Sequence, residues 1–236
     1  MAEYSDKTAV VLDIDGTLCS LTKGVGAIYH ELLLAQGLES DVVALEAAVR
    51  RVWGDYRDIY LNVAEGYRTT HEREREVWLD FVRRVCGAAN LPYGANRSVV
   101  EAIYNAFASG AYRRVEDGAT QFLREAHERG IILVAASNND VRSKVTLREL
   151  ELDRYFTHVF VAGDLGWKKP SPSFYGSLAT RVGVNPSDIL HVGNDRELDV
   201  EAAQRCGFAA VLYAQRGGVT PQSISSFADL SSLLFT

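Results

Sequence analysis

Asp13 and Asp15 are separated by one residue and followed directly by Gly16, at the point where an apolar run ends. Two carboxylates this close repel each other unless a cation joins them or one keeps its proton. Either arrangement is a chemical site. The plain alternative is a turn or a helix cap, since Asp and Gly favour turns in any context. A position at the end of a buried strand weighs against that alternative. Three more polar clusters have the same placement: Ser137-Asn138-Asn139, Gly163-Asp164, and Gly193-Asn194-Asp195 with Asp199 shortly after. A pair of lysines, Lys168-Lys169, precedes Pro170.

The elements that must position these groups alternate in type. Residues 8–12 form a short β-branched apolar run of the kind expected for a strand covered on both faces. Similar runs span 131–136, 159–162, 189–192 and 209–213. Helical periodicity fills the segments between the later runs. Residues 119–128 close on Arg129-Gly130, 141–150 follow Asp140 as a candidate N-cap, and 200–206 stop at Gly207. Strands alternating with helices predict right-handed crossovers and a doubly wound, Rossmann-like parallel sheet. Ligands of such sheets sit beyond the carboxyl ends of the strands, where the polar clusters fall.

Residues 20–112 break the alternation. They contain helical stretches at 24–36, 42–53, 70–86 and 98–108 and almost no strand-like run, which predicts an all-helical insertion after the first strand. The expected division is a core of residues 1–19 and 113–236 and a helical cap of residues 20–112. The cap is rich in aromatics and arginine, including Trp53, Tyr56, Tyr60, Tyr67, Arg68 and Trp78. At helical spacing these read as the cap's own core, with Tyr67 and Arg68 as candidates for substrate contact. The run His71-Glu72-Arg73-Glu74-Arg75-Glu76 reads as a solvated helix face. Residues 214–226 read as a turn-rich surface connection before a short C-terminal helix.

Composition narrows the function classes. A chain of 236 residues, 47% hydrophobic and 24% charged, is that of an ordinary globular protein with enough length for a full core. A net charge of −6 without a basic stripe argues against nucleic acid. No apolar run approaches the roughly 20 residues that span a bilayer, and residues 1–7 lack signal-peptide character. The three scattered cysteines, Cys19, Cys86 and Cys206, read as free thiols. A cytoplasmic location, no membrane partner, and a monomer or homodimer are the expectations.

Taken in order, Asp13-Ile14-Asp15-Gly16-Thr17, Ser137-Asn138, Gly166-Trp167-Lys168-Lys169-Pro170 and His191-Val192-Gly193-Asn194-Asp195 resemble the four signatures of the haloacid dehalogenase-like hydrolases, mostly phosphatases. The resemblance implies a magnesium-dependent phosphatase acting on a small phosphorylated molecule through an aspartyl phosphate. It makes Asp13 the nucleophile and Asp15 the acid that protonates the leaving oxygen and then the base that activates water. Gly16 would allow close backbone approach and Thr17 would support the loop. Ser137 and Asn138 would bind phosphoryl oxygens, and Lys169 would place a positive charge beside Asp13 and the phosphate. Asp13 and the backbone carbonyl of Asp15 would bind Mg2+. Lys168 reads as a solvated neighbour, His191 as a packed core histidine, and Cys19 as structural.

The fourth signature departs from the family's usual Gly-Asp. Asn194 occupies the metal-binding position with a neutral oxygen, and Asp195 follows one residue later, so either is a candidate ligand. Asp199 is expected to orient a loop amide or Lys169 from behind the site. A dehalogenase on the same fold usually lacks the second aspartate, so Asp15 favours phosphoryl transfer. A sugar phosphomutase and a non-catalytic scaffold that kept the fold are the remaining competitors.

Overall fold

The computed structural model describes residues 3–92, 96–214 and 223–236. The first strand, β1 (Ala9–Leu12), is buried along its whole length. Its side chains divide with the two-residue period of a pleated strand. Val10 and Leu12 join one hydrophobic cluster, and Ala9 and Val11 join the other. A strand that is apolar on both faces can lie only in the middle of a covered sheet. After β2 (Cys19–Leu21) come four helices, α1 (Val25–Ala35), α2 (Val42–Leu61), α3 (His71–Ala88) and α4 (Arg97–Ala106). The chain then forms β3 (Arg113–Val115), α5 (Ala119–Glu128), β4 (Ile132–Ser137), α6 (Arg142–Glu149) and β5 (His158–Val161). It finishes with α7 (Ala162–Leu165), α8 (Pro172–Val182), β6 (Ile189–Gly193), α9 (Ala202–Arg205), β7 (Ala209–Tyr213), β8 (Ser223–Ile224) and α10 (Phe227–Phe235).

Six strands form one sheet in the order β5-β4-β1-β6-β7-β8, with every pairing parallel. This is the α/β, Rossmann-like core expected from the alternation. β1 runs between β4 and β6, in register from Ala9 opposite Ile132 and Ile189. The carboxyl ends of β1, β4 and β6 therefore lie side by side, carrying Asp13, Ser137 and Asn194.

The helical stretch departs from the core through an antiparallel pair. β2 and β3 join Cys19 to Val115 and Leu21 to Arg113. Strands of three residues are too short to leave a periodic signal, so the sequence pattern does not reveal them. Within the insertion, Tyr29, Leu33, Leu45, Val52, Leu79 and Phe81 belong to a core separate from the two that flank the sheet. Asp41, Thr70 and Asn96 cap α2, α3 and α4 by accepting from backbone N–H groups. α2 runs well past its expected end at residue 53. Gly54 does not break it, because Tyr56 and Tyr60 continue its buried face.

The structure corrects two of the sequence expectations. Lys168 is fully buried, not solvated. Its Nζ lies 2.7 Å from Glu74 Oε2, donates to the Asn138 carbonyl at 3.1 Å and sits over the Tyr60 ring. The run 71–76 is likewise not wholly a solvated face. His71, Glu72 and Glu76 are exposed, but Glu74 shares the inward face of α3 with Val77 and Phe81 and is itself buried. An alternating charge run cannot show which residue faces inward; the helical period decides that.

Smaller differences lie at the other strand ends. Residues 196–201 form a π-helical turn ahead of α9, so the helix expected over 200–206 starts earlier and opens with that turn. Residues 215–222 of the expected surface connection lie outside the described residues. Just after them, β8 adds a sixth strand by pairing Leu212 with Ser223. Among the described residues, no helix is long and apolar enough to cross a membrane.

Candidate active site

Asp13 continues the ladder of β1 by one more bond, its N–H donating to the Val192 carbonyl at 2.9 Å. Its carboxylate is thereby set at the mouth between β4 and β6, and it is only 6% exposed. Lys169 meets it from the loop before α8. The Lys169 ammonium donates to Asp13 Oδ1 at 2.7 Å and to Asp199 Oδ1 at 2.5 Å. Thr17 adds a longer bond to Asp13 Oδ2, at 3.3 Å.

One lysine thus serves two buried carboxylates, and they do not share it equally. Asp199 has further donors: the His191 ring lies 3.1 Å from its Oδ1 and the Asp195 N–H donates to its Oδ2 at 3.0 Å. Burial opposes ionisation of Asp199, yet Lys169 and His191 hold its carboxyl well below the usual range. Burial, with the charges of Asp199 and Asp15 adding to it, pushes Asp13 up to about 7 against the pull of Lys169. Burial works against the Lys169 cation as well, but the two carboxylates outweigh it and keep the ammonium charged. The π-helical turn makes this possible. Asp195 accepts from the Glu197 and Leu198 N–H groups, and the turn delivers Asp199 beneath Lys169. His191 is fully buried, as expected, and serves as a partner of Asp199.

The second carboxylate is held differently. Arg113, in the strand through which the helical stretch returns to the core, places NH1 2.9 Å from Asp15 Oδ1. Asn139 donates from Nδ2 to Asp15 Oδ2 at 3.2 Å. The Asn139 amide is oriented by its own Oδ1, which accepts the Asp140 N–H at 2.9 Å. Sequence reasoning singled out neither residue. For Asn139 the only signal was a third polar residue after Ser137-Asn138, and Arg113 carried none.

The side chain of Asn138, expected to contact phosphate, is engaged with the backbone of Lys169. Its side chain donates from Nδ2 to the Lys169 carbonyl at 2.9 Å and accepts the Lys169 N–H at 2.6 Å. Both polar atoms of the amide are therefore engaged with the Lys169 backbone, and Asn138 braces that lysine. Ser137 lines the site, and its Oγ accepts the Asn139 N–H at 3.0 Å. Gly16, at φ 83°, lies so close to Asn194 that a Cβ there would collide with the Asn194 side chain. Cys19 is buried, and burial pushes its thiol up to about 12.

These groups open into a cavity of about 630 Å3 between the strand ends and the helices. Its floor includes Asp13, Asp15, Ser137, Lys169, Asn194 and Asp195. Its walls include Trp53, Tyr60, Trp78 and Phe81, so aromatics of the helical core also face the site. Tyr67 and Arg68 do not line it. Arg68 instead borders a separate cleft beside Trp167.

Among the described residues, no three His, Cys, Asp or Glu side chains converge as a metal-binding group. The oxygen chemistry nonetheless suits a hard divalent cation. The oxygens of Asp13, Asp15, Asn194 and Asp195 line one cavity beside a single buried lysine, Lys169, a donor set of the hard kind that such a cation prefers.

Residues 7–207 match the model of the haloacid dehalogenase-like hydrolases. The chain is 28% identical over 215 residues to haloacid dehalogenase-like hydrolase domain-containing protein 3 of Bos taurus, covering 91% of this chain and 84% of that one. It is 27% identical to the glyceraldehyde 3-phosphate phosphatase of Methanopyrus kandleri, over 86% and 82% of the two chains. A solved dehalogenase with an intermediate complex superposes with a TM-score of 0.73 at 20% identity, covering 98% and 99%.

Proposed function

Since the chain belongs to the haloacid dehalogenase-like hydrolase family, we propose that it hydrolyses a small phosphate monoester through an aspartyl phosphate on Asp13. The observation that carries this reading is the contact of Lys169 with Asp13 at 2.7 Å, with the second carboxylate of Asp15 in the same cavity.

In the first step an Asp13 oxygen bonds to phosphorus and the ester P–O bond breaks, leaving its electron pair on the departing oxygen. Asp15 provides a proton where that oxygen needs one. In the second step water attacks the phosphorus of the acyl phosphate, its proton passes to Asp15, and the Asp13 carboxylate is restored. Lys169 screens Asp13 from the incoming anion, and its charge also faces the phosphoryl oxygens. Ser137 is the side-chain donor on the β4 end; Asn138 holds Lys169 in place.

Mg2+ bound at this site would neutralise charge on the transferring phosphoryl group. Asp13, the Asp15 carbonyl and Asn194 are the oxygens that would hold it. Asn194 is preferred over Asp195 because the Asp195 carboxylate already caps the π-helical turn.

A dehalogenase would share Asp13 and Lys169 but has no use for a proton-transferring Asp15. Release of phosphate from a panel of monoesters with Mg2+, beside release of halide from haloacids, tests the reading. The expected result is phosphate release that falls about 10^4-fold or more in Asp13→Asn. Halide release without phosphate release overturns it, and so does full turnover by Asp13→Asn.

A further inference from the structure

We propose that the substrate is an aryl phosphate, the ester of a flat, apolar, phenol-like alcohol, rather than a triose or sugar phosphate; this rests on the phosphatase reading above. The observation that carries it is the lining of the cavity.

Beyond the carboxylates, the walls of the 630 Å3 cavity include Leu21, Val25, Val49, Trp53, Trp78 and Phe81, beside the polar Ser20 and Arg50. A sugar needs hydrogen-bond partners for each hydroxyl that it strips of water, and such walls provide few. Arg142, a buried cation on the wall, is already committed. Its Nε donates to Asp140 at 2.9 Å, its NH1 donates to the Tyr104 carbonyl at 2.9 Å, and its guanidinium lies 4.0 Å from the Tyr104 ring centre. It therefore offers little to a second charged group on the ligand. The Trp78 indole N–H is buried without a hydrogen-bond partner, and Trp78 lies on this same wall. Walls of this kind, with few polar groups, suit a flat ring system.

The test compares phenyl phosphate, 2-naphthyl phosphate, glyceraldehyde 3-phosphate and glucose 6-phosphate with the Mg2+-loaded protein, and measures binding of 2-naphthol by quenching of tryptophan fluorescence. The two aryl esters have leaving groups of similar acidity, so the added ring reports on the cavity rather than on the chemistry. Its burial is expected to lower KM about tenfold, and both aryl esters should exceed the sugar phosphates in kcat/KM by about a hundredfold. Val49→Asp, which charges the wall, should abolish the advantage of the naphthyl ester over the phenyl ester. A triose or hexose phosphate turned over as well as the aryl esters overturns the inference and leaves the phosphatase reading standing. If no ester is hydrolysed, the phosphatase reading fails. In that case 2-naphthol still decides the cavity: no saturable quenching overturns the proposed ligand class.

Discussion

Arg113 NH1 lies 2.9 Å from Asp15 Oδ1, which ties the strand that ends the helical stretch to the second carboxylate of the site. If Asp15 moves the proton as proposed, this contact gives Arg113 a positioning role exerted through Asp15. Arg113→Gln is expected to lower kcat about tenfold. Asp15→Asn/Arg113→Gln should be no worse than Asp15→Asn alone, since the arginine has nothing left to position. Losses that add in the double variant contradict that role.

Asp15→Asn keeps the shape of the side chain and removes its ability to move a proton. The expected loss is about 10^3-fold on an alkyl phosphate and within about tenfold on nitrophenyl phosphate, whose leaving group departs unaided. Equal losses on the two esters would remove Asp15 from the role of leaving-group acid.

Asn194 and Asp195 are separable by what each loses. Asn194→Ala is expected to raise the Mg2+ concentration needed for half-maximal turnover about tenfold, with little change in melting temperature. Asp195→Ala removes the acceptor of two backbone N–H groups and should cost about 1 kcal/mol of stability, with the Mg2+ dependence retained. A metal titration that responds to Asp195→Ala alone reverses the assignment.

The buried pair of Lys168 and Glu74 joins the core to α3 without solvent access. Burial lowers Lys168 to about 8, and Glu74 offsets only part of that. The folded-state value lies below the unfolded one near 10.4, so the unfolded chain binds more protons between pH 8 and 10.4. The cost of keeping this lysine charged, roughly 3 kcal/mol, is felt in full below pH 8 and is relieved as pH rises toward 10.4. Urea unfolding across that range should show wild type gaining stability relative to Lys168→Met/Glu74→Gln. The single Lys168→Met change strands a buried carboxylate and should cost about 3–5 kcal/mol. A flat difference between wild type and the double variant across the range would show that Lys168 titrates as an exposed lysine does.

Much of the fold was legible because the relevant signals are local. The run at Ala9–Leu12 is apolar on both faces, so it had to be a central strand, and Asp13 had to emerge at its end. The alternation of strands and helices by itself implies that Ser137, Lys169 and Asn194 gather near Asp13, and the strand order bears this out. The limits of the cap were less legible, since β2 and β3 are each three residues long and exist only through their pairing with one another.

What the linear order determined was residue type at each strand end, and hence the kind of chemistry available to the site. Only the tertiary structure decided how those groups divide the work: Lys168 inside rather than outside, Asn138 bracing a backbone, Arg113 reaching Asp15 from far along the chain. A side chain's partner across the fold depends on which helix face turns inward and which loop passes beside it. Neither leaves a periodic trace in the sequence, because each is set by packing among segments far apart in the chain.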